Sequence, residues 1–145
     1  MPSARRARIC TVIAPSDLAE LKRGVEKAFA FGSDYVEVRF DYLDMLDVEE
    51  LRRVLRKYAD RCVYTCRSRE EGGLFKGGED ERLTVLRKLS EQGPAFIDVE
   101  LNAVKKQSDL VGSLKAGGAS LIVSWHDFSG TPGKGVLKSV YEEAA

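Results

Sequence analysis

The feature that most constrains this chain is a regular alternation of short apolar runs with longer segments whose apolar residues recur at helical spacing. The short runs are rich in β-branched and aromatic residues and span residues 9–14, 35–40, 62–67, 96–101 and 121–126. A helical stripe follows each run, so a strand–helix unit recurs about every 25–30 residues. Because parallel strands need a crossover connection, this pattern predicts an α/β fold with a parallel sheet.

The segments between the runs support one continuous domain, because no linker or low-complexity stretch divides the chain. The length of 145 residues fits about one ordinary domain, and we therefore expect residues 1–145 to form one unit. In the fourth unit, apolar residues from Val104 to Leu114 predict a single helix. The loop at residues 68–78 is long for such a connection and contains several glycines.

The charge balance gives no sign of a nucleic-acid or membrane partner, since lysine plus arginine equals aspartate plus glutamate at 23 each. No apolar run approaches the ~20 residues of a membrane span. The basic segment at residues 1–8 precedes neither a long apolar segment nor a small-residue cleavage site. We therefore expect no signal peptide and a cytoplasmic location.

The three cysteines, Cys10, Cys62 and Cys66, do not have the spacing of a zinc motif, and the chain has only one histidine to add to them. We interpret all three as small buried thiols. We expect neither a metal ion nor an organic cofactor.

The single histidine, His126, stands at the C-terminal end of the fifth predicted strand. Barrels and open α/β sheets place their catalytic groups at this end of the strands. Imidazole is also the side chain best matched to proton transfer near neutral pH. On position alone, a histidine bonded into a loop is an equally good interpretation.

Polar residues interrupt four successive predicted strands at the same end, where a strand covered on both faces should be almost continuously apolar. Charges inside a strand are costly unless they are paired or used. The pattern therefore favours a shared polar pocket over internal ion pairs, such as one between Glu37 and Arg67. The residues are Glu37, Arg39, Thr65, Arg67, Asp98, Glu100, Ser124 and His126.

The glycine-containing loop at residues 68–78 lacks the Gly-x-x-x-x-Gly-Lys-Ser/Thr spacing of a phosphate-binding loop, so nucleotide binding is not supported. Glu70 and Glu71 could both be solvent charges. Alternatively, one of them could turn inward and orient His126, as carboxylates often do for functional imidazoles.

Four segments together resemble type I 3-dehydroquinate dehydratase, in order and in spacing, over essentially the whole chain. This resemblance implies a (β/α)8 TIM barrel, here a partial barrel of about five βα units. It also implies a lyase of the shikimate pathway that converts 3-dehydroquinate to 3-dehydroshikimate without metal or cofactor. The segments are Glu37-Val-Arg39-Phe-Asp41, Thr65-Cys-Arg67 with Glu71-Gly-Gly, Asp98-Val-Glu100-Leu, and Ser124-Trp-His126-Asp-Phe-Ser-Gly-Thr-Pro132.

The resemblance also implies roles for individual residues in a reaction that proceeds through a Schiff base between a lysine and the substrate ketone. His126 would be the general acid and base, and Glu71 would hold it in orientation. The substrate hydroxyls would be bound by Glu37, Arg39 and Arg67. The residues Asp98, Glu100 and Ser124 would support the site.

The resemblance breaks where the family's Schiff-base lysine is expected, on a sixth strand one βα unit beyond His126. Lys134 and Lys138 follow the histidine, but they lie on the predicted loop and helix rather than on a strand. We therefore expect this chain to be inactive on its own, or nearly so. A partial barrel also exposes the edges of its first and last strands, which predicts a homo-oligomer paired through those edges.

Other functions compatible with these residues are a non-catalytic half-barrel that binds or assembles, and another lysine-dependent barrel lyase or aldolase. A metal-dependent barrel could use Glu37, Asp98, Glu100 and His126, since carboxylates and one imidazole can hold a divalent ion. The neighbouring arginines argue against that ion, because they would compete for the same carboxylates.

Overall fold

A computed structural model describes residues 6–145, and its centre is a parallel sheet of five strands. Each strand pairs with the strand that comes next in the chain, so the sheet order equals the chain order. The predicted alternation and parallel pairing are therefore confirmed. The strands are β1 (Cys10–Ile13), β2 (Tyr35–Arg39), β3 (Cys62–Thr65), β4 (Phe96–Glu100) and β5 (Ser120–Ser124).

Within residues 6–145, six α-helices connect or follow the strands, one more than predicted. The fourth predicted helix is divided in two because Gln107 takes an extended backbone conformation, with φ −128° and ψ 99°. Its side-chain amide oxygen accepts a hydrogen bond from Arg87 at 2.9 Å, which holds the break in place. The helices are α1 (Leu18–Ala30), α2 (Val48–Leu55), α3 (Glu79–Ser90), α4 (Leu101–Lys106), α5 (Leu110–Ala116) and α6 (Lys134–Ala144).

Aspartates begin the first two helices by accepting hydrogen bonds from backbone amides of the first turn, which have no partner inside the helix. Asp17 accepts from the amide of Glu20 at 2.8 Å. Asp47 accepts from the amides of Glu49 and Glu50 at 3.0 and 3.1 Å. Asp17 is therefore the N-cap of α1, and Asp47 is the N-cap of α2.

One face of the sheet packs against the helices and forms the core, and we call it the outer face. Side chains alternate between the two faces along each strand, and on β2 the residues that point outward are Val36 and Val38, both fully buried. They pack in one cluster with helix residues such as Leu21, Leu51 and Leu86. This buried apolar surface is the main stabilising contribution that the fold makes.

The opposite face, which we call the inner face, carries no helix in the part of the chain that the structure describes. Its polar groups gather toward the carboxyl ends of the strands, and apolar residues on the same face, such as Val12 (56% exposed) and Ile122, are exposed. The outermost strands, β1 and β5, each have one paired side only. The inner face is therefore open to solvent, with two free sheet edges among residues 6–145.

All five strands end before the predicted position, and β3 and β5 end two residues early, so Arg67 and His126 lie on loops rather than on strands. β3 ends at Thr65 and β5 at Ser124. Beyond these residues the backbone amides bond to side chains instead of to the sheet. Arg67 N–H donates to Asp41, and His126 N–H donates to Glu71. The apolar pattern continues past the last strand residue, which is why it overestimated the strand lengths.

Two of the three cysteines are buried as expected, and that burial raises the pKa of the Cys62 and Cys66 thiols to about 12. The prediction was wrong for Cys10, which is exposed. The reason is its place on the inner face of an edge strand, where nothing in the described residues covers it.

The length and polarity of the helices can be compared with what a membrane-spanning helix requires. Among residues 6–145, none of the helices combines the length and apolar character that a bilayer crossing needs. Residues 1–5, part of the basic segment from which the absence of a signal peptide was predicted, lie outside the described residues.

Candidate active site

The carboxyl ends of β2 to β5 and the loops that follow them bring the predicted polar residues together on the inner face, and we call this group the network. It contains the eight residues to which the family resemblance gives a role, and Asp41 and Arg82, outside that set, also take part. The eight are Glu37, Arg39, Arg67, Glu71, Asp98, Glu100, Ser124 and His126.

A buried carboxylate holds the histidine from two directions. Oε2 of Glu71 lies 3.0 Å from the backbone N of His126 and 3.0 Å from its Nδ1. Glu71 is 4% exposed, and its other oxygen accepts a hydrogen bond from Asn102 at 3.2 Å. Of the two glutamates left open by the sequence, Glu71 therefore contacts the histidine, while Glu70 is exposed.

The hydrogen-bond pattern assigns the proton on the His126 ring. Nη1 of Arg67 lies 3.3 Å from the same Nδ1, but a guanidinium can only donate. The shorter contact to the Glu71 carboxylate needs a donor at Nδ1. We assign the Nδ1–H tautomer, which leaves Nε2 to exchange protons with a bound molecule. The imidazole is 36% exposed, so a ligand can reach it.

The loop carrying Glu71 is locked to the loop carrying the histidine by a glycine–aromatic contact. Gly72 has a φ of +81°, which side-chain-bearing residues rarely adopt, and a Cβ placed there would come within 2.6 Å of the Phe128 ring. The Phe128 ring in turn stacks near His126, with centroids 6.3 Å apart. A glycine at this position therefore permits the close approach that seats the imidazole.

Arg67 lies at the middle of the network and contacts groups from two neighbouring strands. Its Nη2 lies 2.9 Å from Oδ1 of Asp98, and its Nη1 donates to Oγ of Ser124 at 2.6 Å. Ser124 donates in turn to Asp98 at 2.9 Å. The alternative ion pair between Arg67 and Glu37 is not the one formed, since Arg67 pairs with Asp98 and, at 3.8 Å, with Glu100.

Burial raises the pKa of the Asp98 carboxyl above its ordinary value, although the Arg67 guanidinium and the Ser124 hydroxyl both work in the opposite direction. The nearby carboxylates of Glu100 and Glu37 add to the rise. A carboxyl group whose pKa rises at a polar pocket marks a candidate functional site.

Glu37 and Arg39 extend the network toward β1. Oγ1 of Thr65 donates to Glu37 at 2.9 Å, so this carboxylate is held across the β2–β3 boundary. Arg39 forms a two-point contact with Asp41, from Nε at 2.9 Å and from Nη2 at 2.7 Å. These hydrogen bonds raise the pKa of the Arg39 guanidinium, which fixes it as a cation.

Sequence reasoning missed two residues that organise the site, Asp41 and Arg82, although each left a signal. Asp41 continues the period of two set by Glu37 and Arg39 beyond the end of the strand. Arg82 precedes Leu86 by one helical turn and therefore lies on the same stripe as the core leucines of α3. A charge at a core position of an amphipathic helix indicates a buried partner.

Two of the four predicted acidic residues of this pocket are already engaged by arginines. Asp98 pairs with Arg67, and Glu100 pairs with Arg82 at 2.9 Å. Within residues 6–145, histidine, cysteine and acidic side chains form no group of three or more disposed to hold a metal ion. Lys138 is exposed on α6, where it pairs with Glu142, and Lys134 begins the same helix.

Comparison with known proteins gives consistent results. The model of the type I 3-dehydroquinase family matches residues 9–145. The 3-dehydroquinate dehydratase of Methanosarcina barkeri is 35% identical over 147 residues, which cover 97% of this chain and 59% of that protein. The corresponding enzyme of Pyrobaculum aerophilum is 39% identical over 127 residues, covering 85% of this chain and 40% of that protein.

The fold agrees with the same assignment. A crystal structure of 3-dehydroquinate dehydratase from Geobacillus kaustophilus superposes with a TM-score of 0.87 at 25% identity, covering 97% of this chain and 58% of that one. The five βα units therefore correspond to part of a TIM barrel, and the chain spans less than two thirds of the length of these relatives. By the family match over residues 9–145 and by these relatives, the chain belongs to the type I 3-dehydroquinase family.

Proposed function

We propose that this chain provides the acid/base and substrate-binding part of a 3-dehydroquinate dehydratase, a hydro-lyase of the shikimate pathway. The observation that supports the proposal most directly is the way in which His126 is held. A buried glutamate fixes its Nδ1 side, and its ring remains accessible beside a cluster of fixed polar groups. The names of the relatives support the same reaction, the loss of water from 3-dehydroquinate to give 3-dehydroshikimate.

In the proposed mechanism, His126 moves the protons while a Schiff base serves as the electron sink. Condensation of a lysine with the substrate ketone acidifies the neighbouring carbon. Nε2 of His126 takes the proton from that carbon, and the electron pair moves into the iminium. The same nitrogen then gives a proton to the hydroxyl group that leaves from the next carbon as water.

The Glu71 carboxylate contributes by stabilising the imidazolium that exists between the two proton transfers. It accepts from Nδ1 and from the backbone of His126, so the ring cannot rotate away while it is charged. We therefore propose that Glu71 orients the general acid/base and does not itself transfer a proton.

The substrate hydroxyls are proposed to bind to Glu37, Arg39 and Arg67. All three side chains are held by other protein groups, which limits the loss of side-chain entropy on binding. Asp98, Glu100 and Ser124 are proposed to support Arg67. The proposed reaction uses neither a metal ion nor an organic cofactor, since the iminium and the histidine together supply the required chemistry.

The Schiff-base lysine is proposed to come from a further βα unit, as in the family. Lysines within residues 6–145 lie outside the five strands, and the two that follow His126 belong to α6. We therefore propose that the 145-residue chain alone has little or no turnover, and that the C-terminal units of a relative complete it.

The experiment that tests this function is borohydride trapping. The chain is incubated with 3-dehydroquinate and borohydride, alone and together with the C-terminal βα units of the Methanosarcina barkeri relative, and the intact proteins are weighed. We expect a substrate-sized mass gain and turnover in the completed enzyme only. A folded complex without turnover would support a non-catalytic half-barrel instead.

A matched variant separates the role of the histidine from that of the fold. His126→Asn keeps a hydrogen-bond donor near Glu71 but removes proton transfer at Nε2. In the completed enzyme we expect turnover to fall on the order of 10²–10⁴-fold, while borohydride trapping persists. Unchanged turnover would remove His126 from the proposed mechanism.

The remaining proposals concern partners and location. We propose that residues 1–145 form one partial-barrel domain, acting in the cytoplasm without a nucleic-acid or membrane partner. We also propose that two copies associate through the free edges of β1 and β5, covering exposed apolar residues such as Val12. Sedimentation that shows only a monomer at high protein concentration would rule out the association.

A further inference from the structure

We propose that three buried charged residues, Asp41, Arg82 and Glu100, act together to position Arg67, and we call them the strand-end clamp. They hold the backbone on both sides of Arg67, at the point where the sheet no longer does. The catalytic consequence of this proposal rests on the function proposed above. The positioning itself does not, because it follows from contacts within the chain.

The three consecutive backbone groups around Arg67 are each bonded to a member of the strand-end clamp. Arg82 Nη1 donates to the carbonyl of Cys66 at 2.6 Å. The amide of Arg67 donates to Asp41 Oδ1 at 3.1 Å, and the amide of Ser68 donates to Glu100 Oε1 at 2.8 Å. The pairing of β3 with β4 ends at Thr65, so these bonds replace the sheet.

Arg82 joins Glu100 directly, so two members of the strand-end clamp form one unit, and Asp41 meets them only through the backbone at Arg67. Arg82 is 1% exposed and donates to the other oxygen of Glu100 at 2.9 Å. On its opposite side it makes a two-point contact with Glu79, at 2.8 and 2.7 Å. The planar guanidinium thereby links the start of α3, the end of β3 and the end of β4.

The charge arrangement shows why this affects the Arg67 side chain and not only its backbone. Glu100 lies between two arginines, at 2.9 Å from Arg82 and 3.8 Å from Arg67. As long as Arg82 holds Glu100, the Arg67 guanidinium is directed to Asp98 and Ser124. With a weaker hold, Glu100 would compete with Asp98 for Arg67 and draw it away from the pocket.

Asp41 connects the strand-end clamp to the second arginine of the pocket. The same carboxylate that accepts from the Arg67 amide also binds Arg39 at two points and accepts from the Leu74 amide at 3.1 Å. One buried group therefore sets the distance between two proposed substrate-binding arginines and fixes the loop that carries Glu71.

Arg82→Lys is the central test, because it keeps the positive charge but removes the fork that reaches Cys66, Glu79 and Glu100 together. The matched control is Arg87→Lys on the same helix, whose partners Ser113 and Gln107 lie away from the pocket. In the completed enzyme we expect Arg82→Lys to lower kcat/KM by about 10–100-fold, mainly through a higher KM. Arg87→Lys should leave both constants unchanged.

A double-mutant cycle with Arg67→Lys distinguishes positioning from a general loss of structure. If Arg82 acts through Arg67, Arg82→Lys should have little further effect once Arg67 is already a lysine. Fully additive effects on kcat/KM would overturn the proposal. If Arg82→Lys does not fold, Glu100→Gln takes its place in the same cycle.

A spectroscopic measurement on the 145-residue chain tests the positioning without any turnover. Arg82→Lys should shift the Arg67 side-chain Nε–H resonance and speed amide exchange at Arg67 and Ser68, whereas Arg87→Lys should change neither. Unchanged Arg67 signals would refute the strand-end clamp. If the wild-type completed enzyme has no turnover but these shifts occur, the proposed function fails and the positioning stands.

Discussion

The outer and inner faces of the sheet are built from the same five strands but are stabilised in different ways. The outer face places Val38 against the helices, and Phe40, which directly follows β2, joins the same cluster; both are fully buried. The inner face places Glu37, Arg67 and Asp98 at the same end of the same strands. On the outer face, stability comes from removing apolar surface from water, whereas on the inner face each charge must be matched by a partner.

The difference between the two faces indicates where a substitution should affect folding and where it should affect the chemistry of the site. Outer-face side chains are interchangeable in type as long as the volume is kept. Inner-face side chains are not interchangeable, because each takes part in hydrogen bonds that fix a neighbour. The two faces meet at the strand ends, where members of the strand-end clamp are as buried as the core.

The largest effect is expected for an outer-face aromatic. Phe40 is fully buried and packs edge-on against Tyr64, with ring centroids 4.9 Å apart. Phe40→Ala should lower the free energy of unfolding by about 3–5 kcal/mol, measured by urea denaturation. The control is Phe31→Ala, because Phe31 is 83% exposed, and it should change stability by less than about 0.5 kcal/mol. Equal effects would mean that the outer face is not the core.

A smaller effect is expected for a buried glutamate of the inner face, Glu71, when it is compared with its exposed neighbour Glu70. Glu71→Gln removes the carboxylate that accepts from His126, whereas Glu70→Gln changes an exposed neighbour. We expect Glu71→Gln to cost about 1.5–3 kcal/mol of unfolding free energy and about 10–100-fold in turnover of the completed enzyme. Glu70→Gln should change neither quantity, and the prediction fails if the two variants behave alike.

The smallest effects concern the pH dependence of stability. Two buried aspartates should change the free energy of unfolding in opposite directions as the pH falls. Burial works to raise the pKa of Asp41, but hydrogen bonds from Arg39, Arg67 and Leu74 outweigh it and hold that pKa below the ordinary value. The unfolded chain then takes up this proton first as the pH falls, so stability is lost below the ordinary aspartate pKa. Asp41→Asn should flatten that acid loss in urea titrations.

Asp98 should behave in the opposite way because its pKa is raised by burial. Here the folded chain takes up the proton first, so stability increases as the pH falls toward the ordinary aspartate pKa. Asp98→Asn should remove this gain and leave the pH dependence of the unfolding free energy otherwise unchanged. The same sign of slope change in Asp41→Asn and Asp98→Asn would contradict the two assignments.

The sequence was sufficient to predict the strands, their parallel order and the gathering of polar side chains at one end. These features follow from apolar periodicity, which reports burial directly. It could not predict that the fourth helix breaks at Gln107, because the apolar stripe continues across the break. Nor could it place Cys10, since exposure at a sheet edge depends on what lies beside the strand.

Within the site, the sequence indicated which residues gather but not which of them pair. Glu37 bonds to Thr65 rather than to Arg67, because the sheet places Asp98 and Ser124 within reach of the arginine instead. Arg82 remained hidden because it comes from a helix on the outer side and reaches the strand end through the core. Such a contact depends on packing between elements far apart in the sequence.

The sheet order has a consequence for how the chain acquires its structure during synthesis. Because each strand pairs with the strand that precedes it, every newly completed unit can dock on an existing edge without waiting for a distant segment. The strand-end clamp can therefore form before the ribosome has made β5, whereas Arg67 reaches its partner Ser124 only once that strand is present. His126 also follows β5 in the chain, so the polar groups of β2 to β4 can be arranged before the histidine joins them.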